Sequence, residues 1–368
     1  MIFSCAKSIL SEAVTNVSRM VPAKSAVPAL EGIKIKAAGG KLTLSGYDME
    51  AGITTDIEAS IEAEGEIVLS ARLFSDMIRK MAEDFVRVSV DDRYLTSITS
   101  GITEFTILGL PSDEFPELPD VKAGDAVEIS QGVLKSMIEQ TLFAVAANDS
   151  KPVHMGSLFD IEDNSLSVVS VDGYRLAKCT QPLLDNKKLS FVVPGKVLSE
   201  VSKMLKDEDE PASLLVSPRH IVFNVGSYSI ISRLLEGEFL DYKKSIPQSA
   251  GGAAIVSKRR FMESVERASL LISDRLRSPI RIVFDKEGLV KISCSTSVGK
   301  FYDEFPCKMS GETTEMGFNN RYLMDALRAA DTDEVKVEIF GALSPIKILP
   351  PENESFLFLV LPVRLKND

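Results

Sequence analysis

Two histidines, His154 and His220, and four scattered cysteines, Cys5, Cys179, Cys294 and Cys307, are all the chain offers for imidazole or thiol chemistry. No C-x-x-C pair occurs, so the cysteines read as free thiols of a reducing compartment, not as a zinc site or disulfide framework. The motifs G-x-x-x-x-G-K-[ST], H-E-x-x-H and G-x-S-x-G are absent. Their absence removes the phosphate loop, the zinc-protease helix and the nucleophile elbow. Asp48 with Glu50, and Asp91 with Asp92, have the residue types of a metal-dependent nuclease. Solvated loop acids are the simpler reading of both pairs. No catalysis, metal or cofactor is expected.

What remains is charge. The total, −11, argues against a partner as acidic as nucleic acid. The distribution of that charge points the other way. Six stretches with helical periodicity, spanning 7–20, 71–82, 130–146, 195–206, 257–273 and 319–330, hold 15 basic and 7 acidic residues, a net +8 that leaves −19 on the remainder. Glu forms helices as well as Lys and Arg do, so helix propensity does not explain the bias. A basic helical layer on an acidic body draws a polyanion to one surface and repels it from the rest. Lys24, past the first helix, and Arg275 and Arg277, past the fifth, add to it. No aromatic-rich basic groove and no base-reading motif appears, so phosphate contact indifferent to sequence is expected. Arg72, Lys196 and Lys203, on these helices, are by charge the candidate DNA-facing residues. A repeat scaffold that binds only proteins is the remaining alternative, and the charge segregation argues against it.

The helices that must position these cations recur. Residues 6–20 place Ile9, Leu10, Ala13, Val14 and Val17 on one face. Residues 131–147 do the same with Leu134, Met137, Ile138, Leu142 and Val145, and residues 258–272 with Phe261, Val265 and Ala268. Leu10 and Leu134 lie 124 residues apart, Leu134 and Phe261 127. A second set covers 70–82, 194–206 and 319–330, with Leu73, Val197 and Tyr322 at intervals of 124 and 125. Ser70 and Asn319 are candidate N-caps, and Pro194 suits a helix start. Alternating segments at 41–45, 85–90, 165–170, 220–225, 289–294 and 334–340 read as strands. Glu114-Phe115 and Glu238-Phe239 recur 124 apart. The chain therefore reads as three tandem α+β units, each with two helices packed on antiparallel sheets of about eight strands. The expected boundaries are 1–122, 123–248 and 249–368.

No segment approaches the roughly 18 apolar residues of a membrane helix, and Met1 to Ile9 lack the pattern of a secretory signal. A soluble cytoplasmic protein associated with the nucleoid is expected. Packed helices sit about 10 Å apart, so six in a closed ring give about 19 Å between opposite axes. Twelve give about 38 Å, leaving roughly 28 Å for a duplex with grooves about 8 Å deep. Two chains, head to tail, are then the smallest ring that fits around DNA.

The segments 171–177 (VDGYRLA), 105–119 (FTILGLPSDEFPELP), 236–242 (EGEFLDY) and 361–365 (LPVRL) resemble the bacterial sliding clamps, the beta subunits of DNA polymerase III. The resemblance covers the whole chain. It implies a homodimeric ring that encircles duplex DNA without catalysis, tethers the replicative polymerase, is loaded by a separate ATP-dependent loader and recruits repair proteins. It also implies a pocket for short hydrophobic peptides between the second and third units. The matching positions are His154, Val171, Gly173, Tyr174, Arg175, Leu176, Leu240, Lys244, Ser245, Pro345, Val360, Leu361, Pro362, Val363 and Arg364. There Leu176, Val360 and Leu361 are expected to bury a partner's Leu or Phe, and Arg175 and Arg364 to orient its polar ends. For DNA the resemblance points to Lys24, which matches a basic loop position, and at the subunit seam Phe105 and Ile107 match positions that meet Leu270 and Leu271 of the other chain. The chain departs from the family where His154 and Leu240 stand for the usual Leu and Pro, Tyr174 for a common His and Lys244 for a frequent Arg. Lys366-Asn367-Asp368 extend past the usual Arg-Leu ending.

Overall fold

The computed structural model describes residues 1–121, 123–148, 150–183, 186–272 and 278–365. Arg275, Arg277 and the Lys366 to Asp368 tail lie outside the described residues.

The periodic segments form helices α1 (Lys7–Val17), α2 (Ala71–Lys80), α3 (Gln131–Leu142), α4 (Gly195–Ser202), the single turn α5 (Tyr242–Ser245), α6 (Lys258–Ser269) and α7 (Asn320–Ala329). The apolar faces are buried as the spacing requires: Leu10, Ala13, Val14 and Val17 on α1, and Phe261, Val265 and Ala268 on α6. Ile9 is the exception and is exposed. One residue before Leu10, it lies too far round the helix to reach the core. Asn319 caps α7 by accepting the N–H groups of Arg321 and Tyr322, whereas Ser70 stands at the N-cap of α2 without a side-chain bond.

Among the described residues all strand pairs are antiparallel and form four sheets. A five-stranded sheet runs from Ser60–Ala63 through Ile2–Ala6, Phe85–Val90 and Leu95–Ser100 to Thr103–Leu108. A four-stranded sheet runs from Gly299–Pro306 through Leu289–Thr296 and Ile280–Asp285 to Thr314–Phe318. The other two sheets each cross a repeat boundary. In the eight-stranded sheet, Ala51–Glu58 of the first repeat pairs with Tyr228–Arg233 of the second. In the nine-stranded sheet, Arg175–Pro182 of the second repeat pairs with Phe356–Val360 of the third. Contacts accordingly divide the chain into two compact units, Met1–Leu134 with Ser199–Leu234, and Lys135–Leu198 with Leu235–Asp368. The second repeat contributes to both, because strand pairing ignores the repeat boundary.

A recurrent link ties the two helices of a repeat. Lys7 Nζ, at the start of α1, donates to the Met81 carbonyl at the end of α2, at 2.5 Å. Lys258 Nζ, at the start of α6, donates to the Ala330 carbonyl after α7, at 2.8 Å. A cation at a helix C-terminus satisfies an orphan carbonyl and complements the macrodipole. In the second repeat Gln131 holds that place and accepts the Lys206 N–H. Two of the cations counted in the helical layer are thus committed inside the fold.

Candidate functional site

The strand Ser165–Val171 reverses through Asp172-Gly173-Tyr174 and returns as Arg175–Pro182. Gly173 stands at φ +84°, a conformation that glycine adopts without strain. Asp172 Oδ1 accepts the N–H groups of Tyr174 and Arg175, both at 3.0 Å. The returning strand sets Leu176 opposite both Val171 and Leu359, and Arg175 opposite Val360. The Tyr174 carbonyl then accepts the Leu361 N–H at 2.9 Å, and Val363 N–H donates to Gly317 O at 2.9 Å. Segments 171–176 and 360–364, far apart in sequence, become neighbours through strand register.

Side chains alternate between the faces of a strand, and this sorts the expected pocket. Val171 and Leu176 are buried in a cluster with Val153, Leu158, Val169, Val192, Tyr242, Leu349, Leu357 and Leu359. Val360 belongs to a different cluster with Phe356, Phe358, Phe261 and Leu323. The expectation that Leu176 and Val360 bury the same partner side chain is corrected: neighbouring register places them on opposite faces. Arg175 shares the face of Val360. Its Nε donates to Asp172 Oδ2 at 2.9 Å and one Nη to Asp325 Oδ2 at 2.5 Å. The guanidinium lies 5.4 Å from the Phe143 ring centroid and 4.6 Å from that of Tyr322. With its side chain 12% exposed, Arg175 is held by these contacts within the fold.

The linker from Leu235 to Ile246 covers the Leu176 cluster through Leu235, Phe239 and Ile246. His154 meets Phe239 edge-on, with centroids 5.6 Å apart. Tyr242 is buried and donates its hydroxyl to Asp160 at 2.7 Å. Burial, and then the Asp160 carboxylate, push that hydroxyl well above its ordinary pKa. Asp241 caps α5 and pairs with Lys244 at 2.7 Å, a bond that holds the Asp241 carboxyl below its usual range. Ser245 Oγ donates to the Asp241 carbonyl at 3.2 Å. Pro345 is half-buried next to Ile346, which opposes Val360. Around this core the apolar or amphipathic side chains left exposed are Tyr174, Leu240, Leu361 and Val363. Pro362 is half-buried and Arg364 exposed among them. The tyrosine ring stacks on Tyr322 at 5.6 Å. Sequence reading missed Phe143, Tyr322 and Asp325, whose spacing from residue 175 carries no local signal. The arrangement offers apolar recognition.

Lys24, Arg72, Lys196 and Lys203 are all exposed. Lys203 is paired with Glu200 at 2.6 Å, and the other oxygen of Glu200 takes Arg19 at 3.2 Å. One acid of each pair weighed as metal ligands builds a turn. Asp48 Oδ1 accepts the N–H groups of Glu50 and Ala51, and Asp91 Oδ1 those of Arg93 and Leu95.

Phe105 and Ile107 lie on Thr103–Leu108, the edge of the five-stranded sheet. Leu270, at the end of α6, is 84% exposed, and Leu271 packs half-buried on the core of the third repeat. Exposed Ile102 and Leu108 flank the first edge, and Val298 and Tyr302 mark the open edge Gly299–Pro306. Long unpaired apolar edges are rare on isolated chains because they template further pairing.

The sequence matches the family models of the DNA polymerase III beta subunit, its N-terminal domain over residues 1–119, its central domain over 128–241 and its C-terminal domain over 243–364. It is 34% identical over 356 residues to the beta sliding clamp of Staphylococcus epidermidis, covering 94% of each. It is 32% identical over 374 residues to the beta sliding clamp of Bacillus subtilis, covering 98% of this chain and 99% of the relative. The crystal structure of the DNA polymerase sliding clamp from Bacillus subtilis superposes over the full length of both chains with a TM-score of 0.96 at 32% identity. The chain belongs to the DNA polymerase III beta subunit family, the bacterial sliding clamps.

Proposed function

We propose that the chain acts as a head-to-tail homodimeric ring that encircles duplex DNA and presents a hydrophobic pocket to its partners. The general task follows from the family: a processivity factor that holds a polymerase on DNA and is not itself a catalyst.

The observation that carries the ring is the state of the two short sheets. At both seams within the chain, a strand of one repeat pairs with a strand of the next, giving sheets of eight and nine strands. The five-stranded and four-stranded sheets end on the strands that occupy the same places in the repeat, Thr103–Leu108 and Gly299–Pro306. Joined between two chains they make a nine-stranded sheet. The repeat also supplies the register. Ile231 opposes Gly52 at the first seam, and Leu359 opposes Leu176 at the second. Carried to the subunit seam through the matching hairpins, this sets Thr106 of one chain opposite Lys300 of the other, and Phe105 opposite Phe301. Phe105 and Phe301 are both half-buried, on the faces turned to their own helices. Leu270 and Leu271 at the end of α6 extend the apolar contact. Antiparallel pairing of the edges removes the aggregation hazard that each carries alone.

The basic helices supply the DNA-facing layer, with Lys24, Arg72, Lys196 and Lys203 as phosphate contacts indifferent to sequence. The exposed fringe of Tyr174, Leu240, Leu361 and Val363, backed by His154, Val171, Leu176, Lys244, Ser245 and Pro345, is the partner-peptide pocket. The replicative polymerase, the ATP-dependent clamp loader and repair proteins dock there through short hydrophobic peptides. The chain's retention on DNA tests the ring. Loaded by a clamp loader onto circular DNA, it should stay, and it should leave within minutes once the circle is cut. Equal retention on linear and circular duplex, or a stable monomer at micromolar concentration, contradicts the proposal.

A further inference from the structure

We propose that Asp325 on α7 is a positioning residue for the partner pocket, acting through Arg175 from the opposite face of the sheet. This rests on the proposed function of that pocket.

Arg175 bridges two carboxylates carried by different repeats. Asp172 belongs to the turn of the second repeat and takes Nε at 2.9 Å. Asp325 belongs to the third repeat and takes Nη1 at 2.5 Å. Charge-assisted bonds of this kind are directional and strong, most of all where both groups are shielded from water. The Arg175 and Asp172 side chains are 12% and 13% exposed, and that of Asp325 is 37% exposed, so the bond to Asp172 is the better shielded of the two. Phe143 and Tyr322 approach the guanidinium and add cation–π attraction. The fork is therefore fixed in angle as well as in place.

The turn that Arg175 anchors carries the pocket rim. Asp172 shapes it, Tyr174 stacks on Tyr322, and the Tyr174 carbonyl holds Leu361. Leu361 leads to Val363, pinned on Gly317. Exposed side chains on both segments, Tyr174 on one and Leu361 and Val363 on the other, thus hang from one backbone bond beside Arg175. Asp325 fixes Arg175 from α7, which also brings Tyr322.

The first seam lacks the device. Ala51 opposes Ser232 there, as Arg175 opposes Val360 at the second seam. Glu200, in the place of Asp325 on the matching helix α4, instead takes Arg19, which follows α1 of the first repeat, at 3.2 Å. A cross-repeat ion pair is thus present at both seams, but at the second it runs through the arginine of the turn that carries the exposed fringe.

The test is fluorescence anisotropy of a dye-labelled octapeptide ending in Leu-Phe, titrated with the full-length protein. Asp325→Asn should weaken binding about tenfold, with sedimentation and melting temperature unchanged. Asp325→Glu should restore most of the affinity, which a general packing role does not predict. Arg175→Lys should reproduce the loss, because an ammonium cannot make the same fork. The double variant Asp325→Asn, Arg175→Lys should lose no more than Arg175→Lys alone. Wild-type affinity in Asp325→Asn, or a double loss equal to the product of the single losses, overturns the inference. Leu361→Asp separates this from failure of the pocket itself. If it leaves peptide binding intact, the pocket assignment falls. If it abolishes binding while Asp325→Asn does nothing, only the positioning role falls.

Discussion

The two seams within the chain share one backbone plan and differ in what fills it. At the first, Arg233 N–H donates to Glu50 O at 2.9 Å; at the second, Leu361 N–H donates to Tyr174 O at 2.9 Å. Both turns place a residue at positive φ, Met49 at 76° and Gly173 at 84°. The side chains diverge from there. Gly52 stands where the second seam has Leu176, and Leu118 of the chain's own linker closes on it: a Cβ on Gly52 would lie 2.7 Å from Leu118 Cδ2 and 3.0 Å from the Tyr47 ring. Leu118 packs with Tyr47, Phe115 and Leu110. The second seam holds its own leucine in that volume, and Tyr242 of its linker turns aside to bond Asp160. The first seam is sealed from within, while the second keeps exposed apolar side chains at its rim. Repetition supplies the scaffold, and a few substitutions decide which seam is sealed.

The comparison breaks most readily at Gly52. Gly52→Leu should cost about 3 kcal/mol by overpacking, read as a lower denaturation midpoint. Adding Leu118→Ala should recover more than half of that loss. A neutral Gly52→Leu would mean the first seam is not sealed as described. A second change sharpens the contrast from the other side. Replacing both Leu361 and Val363 by Asp should lower affinity for the Leu-Phe octapeptide at least about 30-fold, the equivalent of some 2 kcal/mol. Dimerisation should be unaffected, and the matching change Arg233→Asp at the first seam should leave peptide binding alone.

The smallest effect concerns the strands that support the second seam. Glu338 bonds both Lys336 and Lys347 at 2.6 Å. Burial raises its pKa, but the two lysine hydrogen bonds outweigh burial and hold it below the usual carboxylate range. A depressed acid contributes stability above its unfolded pKa and loses it as pH falls through the folded value. Glu338→Gln should therefore flatten the acid limb of the stability curve below about pH 4.5 by roughly 1 kcal/mol. Denaturation at pH 3 and pH 7 measures it, and parallel curves for the two proteins would remove the assigned role.

The helices were legible because each repeats an apolar face every three to four residues, and Leu10, Leu134 and Phe261 all reach the core. Sheet sharing was not legible. Ala51–Glu58 and Arg175–Pro182 look like ordinary strands, and nothing local states which strand lies beside them. The face of Val360 was hidden for another reason. Phe356–Val360 is buried at every position, so it lacks the alternation that would assign a face. Composition cannot separate Lys7 and Lys258, which cap helices, from Lys24 and Arg72, which face solvent. The fork at Arg175 depends on partners at 143, 322 and 325, beyond any sequence window.

The subunit seam tests the central claim most directly. In Thr106→Cys with Lys300→Cys, directly opposed Cα atoms lie about 5 Å apart, within reach of a disulfide. Mild oxidation should convert the protein to covalent dimers on a denaturing gel. Oxidised after loading, those rings should stay on a nicked circle in 1 M salt and come off when it is cut. Failure to cross-link, or covalent dimers that high salt strips from the intact circle, would contradict a ring closed by these two edges.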